Sequence, residues 1–324
     1  MKDFFDILNG FLAGDVQGER IFGGSDRQFF RVPAFDATCI ILLDRDIEGL
    51  VRYAHLLENL AHYGIPVSRV YALDEGAGAM VLEDVGEVSL FDWYSTVGDI
   101  EPHFRAVEVL TKIHKLEDIP SKGGGEAEFD VADLIYETQY FIRHFLVGYC
   151  GFPEGVGNSL LDEFRTLAQK AATSPKGLMH RDYQSQNIFV VPGGVKVIDF
   201  QGARRGFLAY DLASLTEDPY VSLPYRLRRE MLKCYLELWA PSRAQVGRFL
   251  ESFPYNALQR LLQATAAFSY LSKVQGKTWF EKFIEPALSR ISEWLEMLDE
   301  FEILRYVVNY ARKSIFEREK DFIV

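Results

Sequence analysis

The sequence predicts an α+β protein in two parts: a small antiparallel sheet with an accompanying helix, then a longer and mostly helical part. Three observations carry this. The chain has 324 residues, more than one hydrophobic core commonly serves, so two domains are expected. Short apolar and β-branched runs separated by turn residues gather ahead of residue 86. From about residue 89 the apolar positions recur mainly at helical spacing, interrupted by one hairpin pattern. The expected division is therefore 1–86 and 87–324.

In chain order, Phe4, Leu8, Phe11 and Leu12 fall at helical spacing and predict a helix over 4–12. Residues 19–32 read as a hairpin around Gly23-Gly24-Ser25-Asp26. A buried strand is expected over 38–44 and an amphipathic helix over 48–63, stopped by Gly64 and Pro66. Two further strands are expected over 69–73 and 79–83. The glycine-rich stretch 120–126 reads as a mobile loop. No internal repeat is evident.

Composition narrows the function. A net charge of −12 disfavours a nucleic-acid partner, since phosphate neutralisation needs clustered Lys and Arg. No apolar run approaches the roughly 20 residues of a membrane helix. The first 14 residues carry two aspartates where a secretion signal would be basic and then apolar, so a cytosolic protein is expected. Cys39, Cys150 and Cys234 lack metal-ligand spacing and read as buried, reduced thiols.

The chemistry is carried by Met179-His180-Arg181-Asp182-Tyr183-Gln184-Ser185-Gln186-Asn187 and by Ile198-Asp199-Phe200. Residues 187–191 and 195–200 are short apolar runs around Pro192-Gly193-Gly194, a hairpin signal. Pairing them brings Asn187 and Asp199 to one end of two strands. Two hard oxygen donors then face one cation, and Mg²⁺ suits such a site because it keeps water and substrate phosphate in its shell. Asp182 lies in the loop entering the hairpin, where a carboxylate can take the proton of an accepting hydroxyl. Together these residues supply the parts that phosphoryl transfer needs.

This string resembles the catalytic and metal-binding loops of the aminoglycoside phosphotransferase family, small-molecule relatives of the protein kinases. The resemblance implies a bilobal protein-kinase-like fold and ATP and Mg²⁺ as co-substrate and cofactor. It also implies Asp182 as catalytic base and Asn187 and Asp199 as metal ligands. Asp211, in Tyr210-Asp211-Leu212-Ala213, matches the family's aspartate that braces the catalytic loop. The order hairpin, strand, helix, two strands fits the family's nucleotide-binding lobe. Gly23, Gly24 and Ser25 then occupy the place of a phosphate-covering turn, where backbone N–H groups approach anionic oxygens. Glu83 and Val85 fall where main-chain atoms meet the adenine.

One departure stands out. Kinases of this superfamily carry a lysine on the third strand, paired with a helical glutamate; here no lysine occurs between Lys2 and Lys112, and neither Glu48 nor Glu58 falls clearly at the glutamate's place. Arginine can take the phosphate-binding role, since guanidinium binds phosphate bidentately. Arg27 and Arg31 flank the glycine turn and are the preferred replacements over Arg45.

Residues 24–32, the lysine-free strand ending Leu42-Leu43-Asp44, and Leu82-Glu83-Asp84-Val85-Gly86 resemble a branch of bacterial anomeric amino-sugar kinases. So do 136–141, 199–203, 214–220 and 275–277, although the segment after Asp44 lacks that branch's proline. The resemblance implies the C1 hydroxyl of N-acetylmuramate or N-acetylglucosamine as acceptor, in cell-wall recycling. An aminoglycoside-type acceptor is the alternative. Glu137, Tyr140 and Arg143, at i, i+3 and i+6 of an expected helix, are the candidate substrate residues. His114, Trp279, Phe280 and Phe283 read as packed core, and His180 as a residue orienting its loop. A protein kinase fits poorly: eleven residues between Asp199 and Asp211 leave little room for a peptide-docking segment. A nucleotide-binding pseudokinase acting as an interaction module is the rival from another class, motivated by the missing lysine.

Overall fold

The computed structural model describes residues 3–21, 27–116 and 128–321, with side chains to residue 315. The Gly23-Gly24-Ser25-Asp26 turn and the 120–126 loop lie outside the described residues. The chain forms two compact units, one from residues up to 126 with 186–203 and one from 127–185 with 204–324.

The first unit opens with α1 (Phe4–Ala13), capped by a reciprocal Asp3–Asp6 box and ended by Gly14 in the left-handed region. Strands β1 (Glu19–Ile21), β2 (Gln28–Ala34), β3 (Ala37–Leu43), β4 (Val70–Asp74) and β5 (Ala79–Glu83) form an antiparallel sheet in the order β1-β2-β3-β5-β4. Between β3 and β4 runs α2 (Ile47–His62), started by the Asp46 side chain accepting from the Gly49 N–H. Val32, Ala34, Cys39, Ile41, Ala79 and Val81 pack with Ile7 and Leu8 of α1. Leu42 and Met80, of opposite parity, are buried as well, and α2 packs on β4 and β5. Helices on both faces explain why β3 and β5 read as continuous apolar runs instead of alternating ones.

After α3 (Leu90–Val97) and α4 (Glu101–His114), this unit is completed by the hairpin of β7 (Ile188–Val191) and β8 (Gly194–Val197). Its turn needs Gly193, at φ 87°. The Val197 N–H donates to Pro66 O and the Val190 N–H to Val88 O, both at 2.9 Å, which ties the hairpin to the sheet-bearing unit. Residues 87–114 and the hairpin thus pack with the expected 1–86 segment.

The second unit contains α5 (Val131–Phe141), which runs on into a π-helical stretch over Ile142–Tyr149, then α6 (Val156–Ala171) and the two-stranded pair β6 (Lys176–Met179) and β9 (Arg204–Phe207). It continues through α7 (Leu208–Thr216), α8 (Tyr225–Trp239), α9 (Arg243–Lys273), α10 (Ile284–Leu295) and α11 (Glu302–Asp321). The 31-residue α9 is the central element and packs on α5, the π-helical stretch, α6, α7 and α10. It is buried nearly all round, as a core helix must be. No described helix is long and apolar enough to cross a membrane. Phe283 is buried as expected, whereas Trp279 is 45% exposed: it packs one face toward Tyr220 and carries Lys282 4.6 Å from its ring centroid. Its expected place in the core is corrected to the surface rim.

Strand β9 is built around a close approach. A Cβ at Gly206 would collide with Met179 and lie 2.9 Å from the Phe129 Cβ. Gly206→Ala is expected to destabilise the protein by about 1–3 kcal/mol through overpacking, visible as a lowered melting midpoint; an unchanged midpoint would mean the β6–β9 pair yields freely.

Candidate active site

In the second unit the loop that carries Asp182 is fixed by one carboxylate. Asp211, fully buried on α7, accepts the backbone N–H of His180 at 2.5 Å and of Arg181 at 2.8 Å. Two main-chain donors on one carboxylate hold Arg181 at φ 78°, a region that side-chain-bearing residues rarely adopt. The Asp182 N–H lies 3.3 Å from His180 Nδ1, so His180 orients the loop as expected. Downstream, the Ser185 N–H donates to Asp218 Oδ2 at 2.7 Å. Asp182 itself is half-exposed and faces Arg260 of α9, whose Nη2 is 3.5 Å from Asp182 Oδ1. Sequence reading missed Arg260, which lies 78 residues away on the central helix.

Beside this loop lies a buried polar network. Glu137 is 3% exposed; both its oxygens accept from the Tyr210 hydroxyl at 3.1 Å, and Gln259 Nε2 lies 3.1 Å from Oε2. Arg181 is 4.0 Å away. Burial pushes the Glu137 carboxyl up to about 7, against the opposing pull of Arg181, Gln259 and Arg260. The expected stripe of Glu137, Tyr140 and Arg143 does not form one surface. Glu137 turns inward, Tyr140 is half-buried, and Arg143 is exposed on the π-helical stretch, where the helical phase shifts. Tyr140 packs instead with His144 and Tyr270, with centroids 4.3 and 6.1 Å away, and burial pushes its hydroxyl up to about 12.

In the first unit, the Ile198 N–H donates to Asn187 O at 3.0 Å, which sets Asn187 beside the strand end that carries Asp199. Asp199 adopts φ 68°, ψ 41°, the left-handed region. The backbone N–H groups of Asp199 and Phe200 donate to the buried hydroxyl of Tyr53, from α2. Arg27 reaches the same turn: Nε binds Asp44 Oδ2 at 2.6 Å, Nη1 binds Gln201, and the guanidinium lies 5.4 Å from the Tyr53 ring centroid. Tyr53 was not marked by the sequence reading, where the available signal was a tyrosine on the core face of α2, and Gln201 entered only as part of the resembling segment 199–203. Among the described residues no group of three or more His, Cys, Asp or Glu gathers for a metal. An amide and a carboxylate side by side is nonetheless a donor set that suits Mg²⁺, which takes few protein ligands.

Arg31 lies elsewhere. It binds Asp84 through Nε at 2.6 Å and Nη2 at 3.2 Å, Gly86 O at 3.1 Å and Glu87 at 2.5 Å. Burial works to raise the Asp84 carboxyl, but Arg31, Thr38 and the Gly86 N–H hold it below the ordinary value. With its donors committed here, Arg31 braces the 83–87 segment, and of the two candidates Arg27 is the one directed at the Asp199 turn. Arg45 is exposed. In the same segment the Glu83 N–H is used by Arg69 O and its carbonyl accepts from Ser68 Oγ at 2.9 Å, while the Glu83 side chain pairs with Lys196 at 2.5 Å. The half-buried Val85 N–H has no hydrogen-bond partner among the described residues.

Comparison with known proteins fits these arrangements. Residues 41–246 match the model of the phosphotransferase enzyme family, APH. The chain belongs to this family. It is 27% identical over 291 residues to an N-acetylmuramate/N-acetylglucosamine kinase of Pseudomonas aeruginosa, covering 84% of each chain. To a protein of the same name from Neisseria meningitidis it is 23% identical, covering 78% of this chain and 77% of that one. Among solved structures, a choline kinase of Streptococcus pneumoniae superposes with a TM-score of 0.62 at 17% identity, covering 89% of this chain and 99% of the other. The aminoglycoside phosphotransferase APH(4)-Ia gives 0.59 at 14% identity, covering 87% and 97%. The fold is therefore protein-kinase-like, and the phosphotransferase acts on a small molecule with ATP as co-substrate.

The Glu137 carboxyl makes stability depend on pH. Its folded value, about 7, lies above its ordinary 4.5, so it contributes stability fully present below about 4.5 and lost as pH rises through about 7. Relative to Glu137→Gln, the wild-type phosphotransferase is expected to lose on the order of 1–3 kcal/mol across that window. Melting curves of both from pH 5 to 8 check this; parallel curves would show an ordinary carboxyl.

Proposed function

We propose that this phosphotransferase moves the γ-phosphoryl group of ATP onto the anomeric C1 hydroxyl of an N-acetylated amino sugar. The observation that carries the acceptor is the match to relatives named N-acetylmuramate/N-acetylglucosamine kinase, extending over 84% of both chains for the one from Pseudomonas aeruginosa. The reaction is carried by the string from His180 to Asp199. In it, the acceptor oxygen bonds to the γ-phosphorus while the bond from that phosphorus to the β,γ-bridging oxygen breaks, and the hydroxyl proton passes to the Asp182 carboxylate. Asn187 and Asp199 would hold Mg²⁺, whose charge offsets that of the phosphates.

Nucleotide binding is assigned to residues 1–86, with the Gly23-Gly24-Ser25 turn over the phosphates and Arg27 in place of the missing lysine. Val85 offers its main-chain N–H to the adenine and Glu83 its carbonyl, which has a second lone pair beside the Ser68 bond. The helical part takes the acceptor. Tyr140, with His144 and Tyr270, presents a half-buried aromatic surface suited to a sugar ring. Arg143 serves at its rim, and Glu137 acts from beneath through Arg181. The site of action is the cytosol, where ATP is at hand.

Incubation with Mg-ATP and a panel of N-acetylglucosamine, N-acetylmuramate, neutral hexoses and one aminoglycoside, read by ADP release and phosphorus NMR, tests the acceptor. A C1 phosphate on an N-acetyl sugar is expected. Phosphate on the aminoglycoside alone would redirect the acceptor assignment, and nucleotide binding without turnover would favour a pseudokinase. Asp182→Asn is expected to lower kcat by about a hundredfold or more with nucleotide affinity near normal. Asp199→Ala is expected to weaken Mg-ATP binding itself; an unchanged metal dependence would remove Asp199 from the metal site.

A further inference from the structure

Arg260 is a nearly buried cation with no part in the reaction as described so far. Its side chain is 7% exposed, against 42% for Asp182. Each edge of the guanidinium is fixed. Nε donates to Ser214 Oγ at 3.0 Å, and that hydroxyl donates to Tyr210 O. Nη1 donates to Gln263, one turn further along α9. Nη2 donates to Gln184 Oε1 at 2.8 Å and lies 3.5 Å from Asp182 Oδ1. The Gln184 N–H in turn donates to Asp182 O at 2.9 Å, so the loop is clasped at both ends of a three-residue turn.

A buried guanidinium needs an anionic partner. Two other carboxylates act on it, and each is committed. Glu137 is engaged by Tyr210, Gln259 and Arg181. Asp218 accepts from the Ser185 and Tyr220 N–H groups. Asp182 is the carboxylate within ion-pair distance. A base must meet the proton it takes at hydrogen-bond range, so the direction of the Asp182 carboxylate matters.

We propose that Arg260 is the positioning residue of the catalytic base: its clamped guanidinium holds Asp182 Oδ1 and so directs Oδ2 at the acceptor hydroxyl. The proposal rests on the reading of Asp182 as base. Arg260 acts through Asp182, and Gln184 and Gln263 act by aiming Arg260. Lysine at 260 would keep the charge and lose the fork that engages Ser214, Gln263 and the loop at once.

The test is a double-mutant cycle of Asp182→Asn and Arg260→Lys. With N-acetylglucosamine as acceptor, Arg260→Lys alone is expected to lower kcat between about tenfold and a hundredfold, the cost of a misaimed group. Nucleotide KM should stay unchanged, and adding Arg260→Lys to Asp182→Asn should cost nothing further. Soluble guanidinium should restore part of the rate to Arg260→Ala. An Arg260→Lys enzyme with normal kcat, or an equal loss of rate in both backgrounds, would overturn the proposal. Normal kcat in Asp182→Asn would instead overturn the base reading. The same cycle read by thermal melting needs no acceptor: non-additive midpoints support the ion pair, and additive ones overturn it. Should Arg260→Lys fail to fold, Gln184→Ala releases the 2.8 Å clamp from the surface side and is expected to show the same coupling to Asp182, its absence again counting against the proposal.

Discussion

The second unit of this phosphotransferase depends on one buried carboxylate binding two backbone N–H groups. Asp211 sits on α7, every residue of which is buried, and it accepts from the first two residues of the loop that carries Asp182. Without that acceptor two main-chain donors would be stranded in the interior, at roughly 1–3 kcal/mol each. Nothing would then hold Arg181 at its positive φ. Arg181 then places its guanidinium near Glu137 and 5.7 Å from the Phe129 ring centroid. The loop's direction is thus set from below, by the core.

The interior around α9 is unusually polar for a helical core. Glu137, Tyr210, Gln259 and Arg260 form one buried group, and Glu217 with Arg228, Arg290 and Trp294 forms another. Such groups cost desolvation, and an apolar replacement of equal volume is often as stable. Their return is register: each fixes a helix of the bundle against a particular partner at a particular rotation. In the first group that register is transmitted to Asp182, because Arg260 touches it. A helix rotated by one residue would carry the guanidinium about 100° away.

Most of the architecture was legible in the sequence because its signals are local. The strand over 79–83, the helices near 4–12 and 48–63 and the first arm of the hairpin after Asn187 emerge within one residue of their expected bounds, while the second arm ends at Val197, three residues short. The role of Asp211 was legible only through the family resemblance. The illegible parts are those decided at a distance. Arg27 and Arg31 are equivalent by spacing, and only the fold shows that one reaches Gln201 and the other Asp84. Glu137 reads as a helix-surface acid until α5 meets α7 and α9. The π-helical stretch after Phe141 leaves no mark in composition, yet it decides which side chains follow Tyr140 on the same face.

The turn that carries Asp199 is braced by contacts that use no lysine. In kinases that carry it, the lysine and its helical glutamate join strand to helix by an ion pair. Here the helix contributes Tyr53, whose hydroxyl accepts the N–H groups of Asp199 and Phe200, and the strand side contributes Asp44, which holds Arg27 against Gln201. A neutral hydroxyl suffices here because its partners are backbone donors of the turn at Asp199, not a cation. The arginine lies just ahead of β2, and its planar fork can bridge Asp44 and Gln201 together, which an ammonium group does less well. The turn is therefore braced at the Asp199 and Phe200 N–H groups by Tyr53 and at Gln201 by Arg27, two side chains that a search for lysine and glutamate would pass over.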